Sequence, residues 1–253
     1  MDRCIEVYAN QEQLKIAAAE HWLENAAAAI NQHAACHIAL AGGSTPKMLY
    51  QLLAQDPYRE RVDWERVHIY FGDERNVPHD HEQSNYRMAR EAFLDSLAMP
   101  ETHIHPIPYN QDAKSAAAAY AETLQNCLPL QAGFPRFDII WLGMGDDGHT
   151  ASLFPGSDLV QEKTRFCSAA YVEKLSSWRI SLTFPVLNNA EKVYLLISGA
   201  SKAERMAEVL HQGDRRYPVQ SVSPRGDLYW LLDRDAAANI DWDALDTEWQ
   251  VKR

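Results

Sequence analysis

Short apolar segments alternate along this chain with longer segments of helical periodicity, and this alternation limits the fold more than any other feature. Strands are predicted at residues 4–8, 37–41, 67–71, 137–142, 193–197 and 228–232. Helices are predicted at residues 11–31, 45–54, 84–97, 112–127 and 201–210. Nearly continuous apolar strands separated by helices are typical of a parallel sheet covered on both faces. The sequence therefore predicts an α/β protein, a three-layer α/β/α sandwich with a mostly parallel sheet.

The same pattern predicts one domain over residues 1–253. We find no internal repeat, and the turn-rich connections at residues 100–108 and 131–135 are too short to mark a domain boundary.

The charge balance bears on the partners of the chain. Lys and Arg number 24 and Asp and Glu 35, which gives a formal net charge of −11, and no Lys/Arg-rich run is present. Such a chain is not expected to bind nucleic acid or an anionic membrane. A small anionic ligand stays compatible with this charge, because the local field of a pocket can oppose the net charge of the protein.

Cysteine usage and the first residues bear on the compartment. The cysteines Cys4, Cys36, Cys127 and Cys167 are scattered and form no CxxC pair, so we expect buried thiols in a reducing compartment. The first ten residues lack the basic start and apolar core of a signal peptide. No apolar stretch approaches the ~20 residues that span a bilayer. These features predict a cytoplasmic protein.

Glycine-rich or polar segments follow four of the predicted strands, where open α/β sheets bind their ligands. They are residues 42–46 (GGSTP), 72–75 (GDER), 143–150 (GMGDDGHT) and 198–202 (SGASK). In the first, two glycines allow close approach of a ligand, Thr45 is predicted as the helix N-cap and Pro46 as the first helical residue. This segment indicates either a phosphate site at a helix N-terminus or a well-capped turn, and it lacks the Lys of a Walker A loop.

Residues 143–150 give the strongest signal for catalysis. The loop holds Asp147 and His149 two residues apart, and His is the side chain best matched to proton transfer near neutral pH. A nearby carboxylate can orient its ring, and the sequence leaves open which one does so. The alternative is a solvated His in a loop that merely needs glycine.

Three basic residues are candidates for binding or stabilising an anion. Arg75, in the triplet Asp73-Glu74-Arg75, can stabilise an oxyanion or bind a phosphate, or it can belong to a structural ion-pair cluster. Lys202 begins a predicted helix and Arg179 opens another strand; alone, either is equally compatible with a solvated side chain.

Two His pairs have the i, i+2 spacing of metal ligands but show no third ligand, so we predict surface histidines: His79 with His81, and His103 with His105.

Taken in order, four segments resemble the 6-phosphogluconolactonases. They are residues 39–46 (ALAGGSTP), 71–86 (FGDERNVPHDHEQSNY), 143–155 (GMGDDGHTASLFP) and 179–202 (RISLTFPVLNNAEKVYLLISGASK). The resemblance implies a modified Rossmann-like fold, which these enzymes share with the glucosamine-6-phosphate deaminases. It therefore constrains the fold better than the reaction.

Two positions favour the lactonase branch of this resemblance. The deaminases carry an acidic residue five positions after the loop histidine, and here that position is Phe154. Their triplet resembles Asp-Glu-Tyr, whereas this chain has Asp73-Glu74-Arg75. In one departure, residues 174–179 (KLSSWR) lack the prolines that usually precede the arginine in lactonases.

The resemblance implies hydrolysis of 6-phospho-D-glucono-1,5-lactone in the oxidative pentose phosphate pathway, with no metal, other cofactor or covalent nucleophile. It implies that His149 takes a proton from water, that Arg75 stabilises negative charge or orients sugar hydroxyls, and that Asp73, ahead of Asp147, orients the His149–water pair. The residues it assigns to the 6-phosphate are Gly42, Gly43, Ser44, Thr45, Arg179 and Lys202.

Two other functions stay open at this point. A hexosamine-phosphate deaminase or isomerase is disfavoured by Phe154. A non-catalytic sugar-phosphate sensor of a transcription regulator is disfavoured because no helix-turn-helix segment precedes the strands. For the lactonase we expect a monomer whose partner is a small sugar phosphate.

Overall fold

The computed structural model describes residues 2–211 and 215–253 and is organised around a parallel seven-stranded sheet. The strands are β1 (Arg3–Tyr8), β2 (Cys36–Leu40), β3 (Val67–Phe71), β4 (Asp73–Arg75), β5 (Leu130–Gln131), β6 (Phe134–Pro135), β7 (Ile139–Leu142), β8 (Cys167–Val172), β9 (Ser177–Leu182), β10 (Lys192–Ile197), β11 (Asp227–Asp233) and β12 (Gln250–Lys252). The α-helices are α1 (Gln11–His33), α2 (Ser44–Leu53), α3 (Asn85–Ala92), α4 (Ala113–Cys127), α5 (Phe184–Leu187) and α6 (Ala203–His211).

The seven-stranded sheet has the order β12-β1-β11-β10-β7-β2-β3, and every pair of neighbouring strands in it is parallel. Helices flank the sheet, so the predicted α/β class and mostly parallel sheet are confirmed. Because β10, β7, β2 and β3 are neighbours, their carboxyl ends lie side by side and bring together the four loops that follow them.

Aromatic packing between α1 and the sheet forms the centre of the core. An apolar stripe of α1, which includes Leu14, Ala18 and Trp22, is fully buried. The Trp22 ring stacks on Trp141 of β7 at a centroid distance of 5.9 Å and meets the edge of Phe93 at 6.2 Å. Helix α1 therefore packs on the face of the sheet at β7, one of the strands that lead into the candidate site.

A second sheet, which the sequence did not predict, lies beside the first. It has the antiparallel order β4-β9-β8, and α4 packs against β8 and β9. Its first strand is the triplet Asp73–Arg75, expected to be a loop after β3. Leu182 N donates to Gly72 O at 2.9 Å, which joins the end of β9 to the residue before β4.

Three predicted helix boundaries are wrong for local reasons. Gly43, at φ +104°, is the N-cap of α2, so Thr45 is not the cap and Pro46 is the third helical residue. Helix α3 ends at Ala92 because Phe93, at φ −158°, leaves the helical region. Residues Ala200–Lys202 form a 3-10 turn ahead of α6.

The prediction of surface histidines is wrong: His79, His81, His103 and His105 are all half-buried. The last two belong to a histidine cluster, which we define as His37, His68, His103 and His105. The ring of His68 stacks on His103 at 3.9 Å and on His37 at 4.8 Å, and its Nδ1 lies 3.3 Å from Nε2 of His105. Ring stacking covers part of each of these side chains and shields it from water.

The thiols agree with the sequence in part. All four cysteines are free and three are buried, but Cys127, at the end of α4, is exposed, so the expectation of burial is wrong there. Within residues 2–211 and 215–253, no helix combines the length and the apolar character needed to cross a bilayer.

Burial, together with the neighbouring rings, lowers the pKa of His37 and of His105 to about 4 and also lowers that of His68. The unfolded chain therefore binds more protons than the folded protein below the ordinary His pKa of about 6.5. Stability from this cluster is present above that pH and is lost as pH falls toward 4. Nearby, Asp138 bonds His33 and the backbone of His37, and the Tyr70 hydroxyl lies 3.2 Å from His37 Nδ1.

We expect the thermal midpoint to fall between pH 7.5 and pH 5, by about 2–4 °C for each kcal/mol lost. The variant His68→Gln removes the central ring, so its midpoint should fall less over the same range. His81→Gln, which lies outside the cluster, is the matched control and should follow the wild type. Equal acid sensitivity of all three proteins in scanning calorimetry would contradict this role of the cluster.

Candidate active site

A cavity of about 250 Å³ opens at the carboxyl ends of β2, β3, β7 and β10. Eight of the ten residues selected from the sequence line it, namely Gly42, Gly43, Ser44, Thr45, Asp73, Arg75, His149 and Lys202. The other two, Asp147 and Arg179, do not form part of its wall. The parallel sheet therefore brings residues that are up to 160 positions apart in the chain into one site.

The loop after β7 is fixed by its own backbone. Gly145 N donates to His149 O at 2.9 Å, and Thr150 Oγ1 donates to Gly143 O at 2.8 Å. Gly148 has a φ of +74°, and a Cβ there would lie 2.7 Å from Tyr217. A Cβ on Gly145 would overlap the imidazole ring of His149. Gly145 therefore leaves the space that the His149 ring occupies, and Gly148 allows the turn that precedes it.

The His149 ring is oriented by Asp147. Its Nδ1 donates to Asp147 Oδ1 at 2.5 Å, and the backbone N of His149 donates to the same oxygen at 3.2 Å. With the proton on Nδ1, the other ring nitrogen, Nε2, can accept one. The resemblance placed Asp73 ahead of Asp147 as the carboxylate that orients the His149–water pair. In the structure, the carboxylate bonded to the ring is that of Asp147.

Asp73 is held by two residues that the sequence analysis did not select. Ser152 Oγ donates to Asp73 Oδ2 at 2.6 Å, and Asn85 Nδ2 donates to the Asp73 backbone oxygen at 2.9 Å. Both residues lie inside segments that resemble the lactonases, but nothing in their spacing indicates these bonds. Asn85 also lines the cavity, and a Cβ on Gly42 would overlap its amide.

The surroundings of His149 favour its neutral form. Burial lowers the pKa of His149; Asp73 and Asp146 oppose this effect, while Lys202 and Arg179 add to it. The ring of Phe154 lies 4.1 Å from the imidazole, centroid to centroid, and supplies part of the apolar surface. A neutral imidazole at physiological pH is ready to act as a base.

The N-terminus of α2 forms part of the cavity wall. Its first residues, Ser44 and Thr45, line the cavity after Gly43 turns the chain. The first N–H groups of a helix have no intrahelical acceptor, and the dipole places partial positive charge there. This wall suits a phosphate group.

Glu74 holds the β4 segment against the start of α3. It is buried and accepts hydrogen bonds from Ser84 Oγ at 3.0 Å, from Asn85 N at 2.7 Å and from Tyr86 N at 2.9 Å. Burial raises its pKa, and the backbone donors act against that rise. Glu74 is thus a structural residue, and its neighbours Asp73 and Arg75 are free to face the cavity.

The basic residues differ in their surroundings. Lys202 forms an ion pair with Asp146, and Arg75 donates to Gln83 O at 2.6 Å. Arg179 lies opposite Arg75 in the β4–β9 register, and burial, followed by the charge of Arg75, lowers its pKa. Its buried Nε has no hydrogen-bond partner in the described part of the chain.

In residues 2–211 and 215–253, no group of three or more His, Cys, Asp or Glu side chains is placed to hold a metal ion.

Comparison with known proteins gives one consistent result. Residues 9–230 match the family model described as glucosamine-6-phosphate isomerases/6-phosphogluconolactonase. A 6-phosphogluconolactonase of Synechocystis sp. is 42% identical over 80% of this chain and 84% of its own length. One from Nostoc sp. is 37% identical over 95% of this chain and 99% of its own. The solved 6-phosphogluconolactonase of Trypanosoma cruzi, 31% identical, superposes with a TM-score of 0.83 over 95% of this chain and 98% of its own.

The close fit of the His149 ring over Gly145 can be tested by adding one methyl group. We expect Gly145→Ala to displace the ring and to change the imidazole chemical shifts of His149 in labelled protein. Gly143→Ala is the matched control, because a Cβ there meets nothing within 4 Å. Unchanged His149 shifts in Gly145→Ala would contradict the fit.

Proposed function

Because the chain belongs to the glucosamine-6-phosphate isomerase/6-phosphogluconolactonase family, we propose that it hydrolyses 6-phospho-D-glucono-1,5-lactone to 6-phospho-D-gluconate in the oxidative pentose phosphate pathway. One observation at the candidate active site supports this proposal most strongly. A neutral His149, oriented by Asp147, faces the same cavity as the N-terminus of α2. A base and an anion-binding wall in one cavity match a substrate with a lactone at one end and a phosphate at the other.

The 6-phosphate of the substrate binds at the N-terminus of α2. Gly42, Gly43, Ser44 and Thr45 offer backbone N–H groups, and Lys202 adds positive charge at the cavity wall. Arg179 supplies further positive charge from its buried position. It lies opposite Arg75, so a bound anion would offset the repulsion between the two guanidinium groups. Holding the remote phosphate places the lactone carbonyl near His149 and so lowers the entropic part of the barrier.

The chemical step is one cycle of proton transfer. Nε2 of His149 takes a proton from water as the water oxygen forms a bond to C1. The tetrahedral intermediate then collapses, the bond between C1 and the ring oxygen breaks, and His149 returns the proton to that oxygen. General acid–base catalysis of this kind contributes about 10²–10⁴-fold. A δ-lactone is already electrophilic, so no covalent nucleophile is required.

Arg75 and Asp73 complete the assignment. Arg75 stabilises the negative charge that develops on the carbonyl oxygen or orients the sugar hydroxyls. Asp73, held by Ser152, acts on the attacking water and favours the protonated form of His149, whose pKa it raises. Asp147 holds the ring in place.

A deaminase or isomerase is the competing reaction. It requires an acidic group at the position of Phe154 to assist ring opening. Phe154 has no ionisable group and cannot move a proton; its ring is buried and packs on the His149 ring. This contact favours lactone hydrolysis.

We further propose that the protein works without a metal or other cofactor, as a cytoplasmic monomer with no nucleic-acid or membrane partner, and as one domain over residues 1–253. The acidic net charge of −11 and the free thiols support this setting.

The direct test generates the δ-lactone in situ from glucose 6-phosphate and follows proton release with and without the protein. We expect acceleration over the spontaneous rate, and His149→Ala should lower kcat by at least about 100-fold. No acceleration, together with thermal stabilisation by 6-phosphogluconate, would contradict the lactonase and favour the sensor. Ammonia release from glucosamine 6-phosphate would favour the deaminase.

The phosphate wall is tested by a split between KM and kcat. Lys202→Ala removes a charge that acts on binding, so we expect KM to rise about 10-fold while kcat changes less than about 3-fold. Lys163→Ala, which removes an equal charge at an exposed position ahead of β8, is the control. A loss confined to kcat in Lys202→Ala would place Lys202 in the chemical step instead.

A further inference from the structure

Lys174 lies outside the cavity wall, yet it contacts the carboxylate that orients the catalytic ring. We propose that Lys174 is a positioning residue that acts on His149 through Asp147. This inference rests on the function proposed above for the same site. It adds to that function a residue that the sequence analysis noted only as part of an atypical segment.

The contacts form a line of three residues. Asp147 accepts from His149 Nδ1 through Oδ1 at 2.5 Å, and its other oxygen, Oδ2, accepts from Nζ of Lys174. Each oxygen of the Asp147 carboxylate therefore accepts a hydrogen bond, one from the imidazole of His149 and the other from the ammonium group of Lys174. A carboxylate bound at both oxygens cannot rotate without losing one bond, so the ammonium group fixes the orientation of the imidazole.

Phe154 fixes the ammonium group in turn. Nζ of Lys174 lies 4.9 Å from the centroid of the Phe154 ring, which also packs on His149 at 4.1 Å. A cation near an aromatic face gains about 0.5–1 kcal/mol at exposed sites. Lys174 thus has two partners, although about half of its side chain is exposed. The Phe154 ring, which stands where the deaminases have an acidic group, therefore contacts both the ammonium group and the imidazole.

The hairpin of β8 and β9 brings Lys174 to this position. A 3-10 turn at Glu173–Leu175 carries Lys174, and Ser176 closes it in the left-handed region at φ +47°, with its N donating to Glu173 O at 3.0 Å. Strand β9 then pairs with β4, which contains Asp73 and Arg75. The hairpin therefore links Lys174 to the strand that carries two cavity-lining residues, and it does so without the prolines usual in lactonases.

The ammonium charge also sets the balance of charges around His149. The other charged groups that act on the ring are Asp73, Asp146, Lys202 and Arg179. Lys174 neutralises part of the Asp147 charge. Without it, the full charge of Asp147 would stabilise the imidazolium and raise the pKa of His149. Because the neutral ring is the active form, the acid limb of kcat/KM should move to higher pH when the charge is removed.

The test compares Lys174→Gln, Lys174→Arg and Lys163→Gln. Lys163 is an exposed lysine ahead of β8 and provides the matched loss of charge. For Lys174→Gln we expect kcat to fall about 5–20-fold with KM within about 2-fold, and the acid limb to rise by roughly half a pH unit. Lys174→Arg, which keeps the charge and the donor, should restore most of kcat and the wild-type profile. Lys163→Gln should match the wild type.

An NMR titration of His149 in labelled protein makes the test independent of turnover. We expect a higher His149 pKa in Lys174→Gln and a wild-type value in Lys174→Arg. If neither the pKa nor the pH profile moves in Lys174→Gln, the proposal is wrong. A shifted pKa in a protein with no lactonase activity would support the Lys174–Asp147–His149 line while overturning the proposed reaction.

Discussion

The parallel pairing of β10, β7, β2 and β3 is the constraint on which the candidate site depends. Parallel strands end at the same edge of a sheet, so each loop that follows them reaches the same space. One loop supplies His149, one supplies a helix N-terminus, and the others supply Arg75 and Lys202. The second sheet adds to this arrangement, because β4 carries Asp73 and Arg75, which line the cavity, and pairs with β9.

The surroundings of His149 combine opposing effects. Burial and the neighbouring cations lower its pKa, whereas Asp73 raises it, and the balance leaves a neutral ring at physiological pH. Orientation is a separate requirement, and Asp147 meets it through a bond to Nδ1. Phe154 contributes to both, since it excludes water from one face of the ring and removes the acidic group that ring-opening chemistry would use.

The periodicity of apolar residues and the composition of the loops were sufficient to predict the α/β class, the parallel sheet and the loops that form the cavity. Contacts between distant segments were not predictable in this way. Strand β4 has only three residues and β8 shows no clear alternation of apolar and polar residues, and both are stabilised by pairing with β9. Likewise, the choice of Asp147 over Asp73 depends on the turn at Gly148, and the stacking of the histidine cluster depends on strand register, neither of which a single sequence specifies.

The central claim is that one cavity binds the phosphate at the start of α2 and the reacting carbon at His149. A crystal structure with bound 6-phosphogluconate tests this most directly. We expect the phosphate to lie against the N–H groups of Ser44 and Thr45, with the C1 carboxylate about 3–3.5 Å from Nε2 of His149. A product bound in the reverse direction, with its phosphate at His149, or bound outside this cavity, would contradict the account.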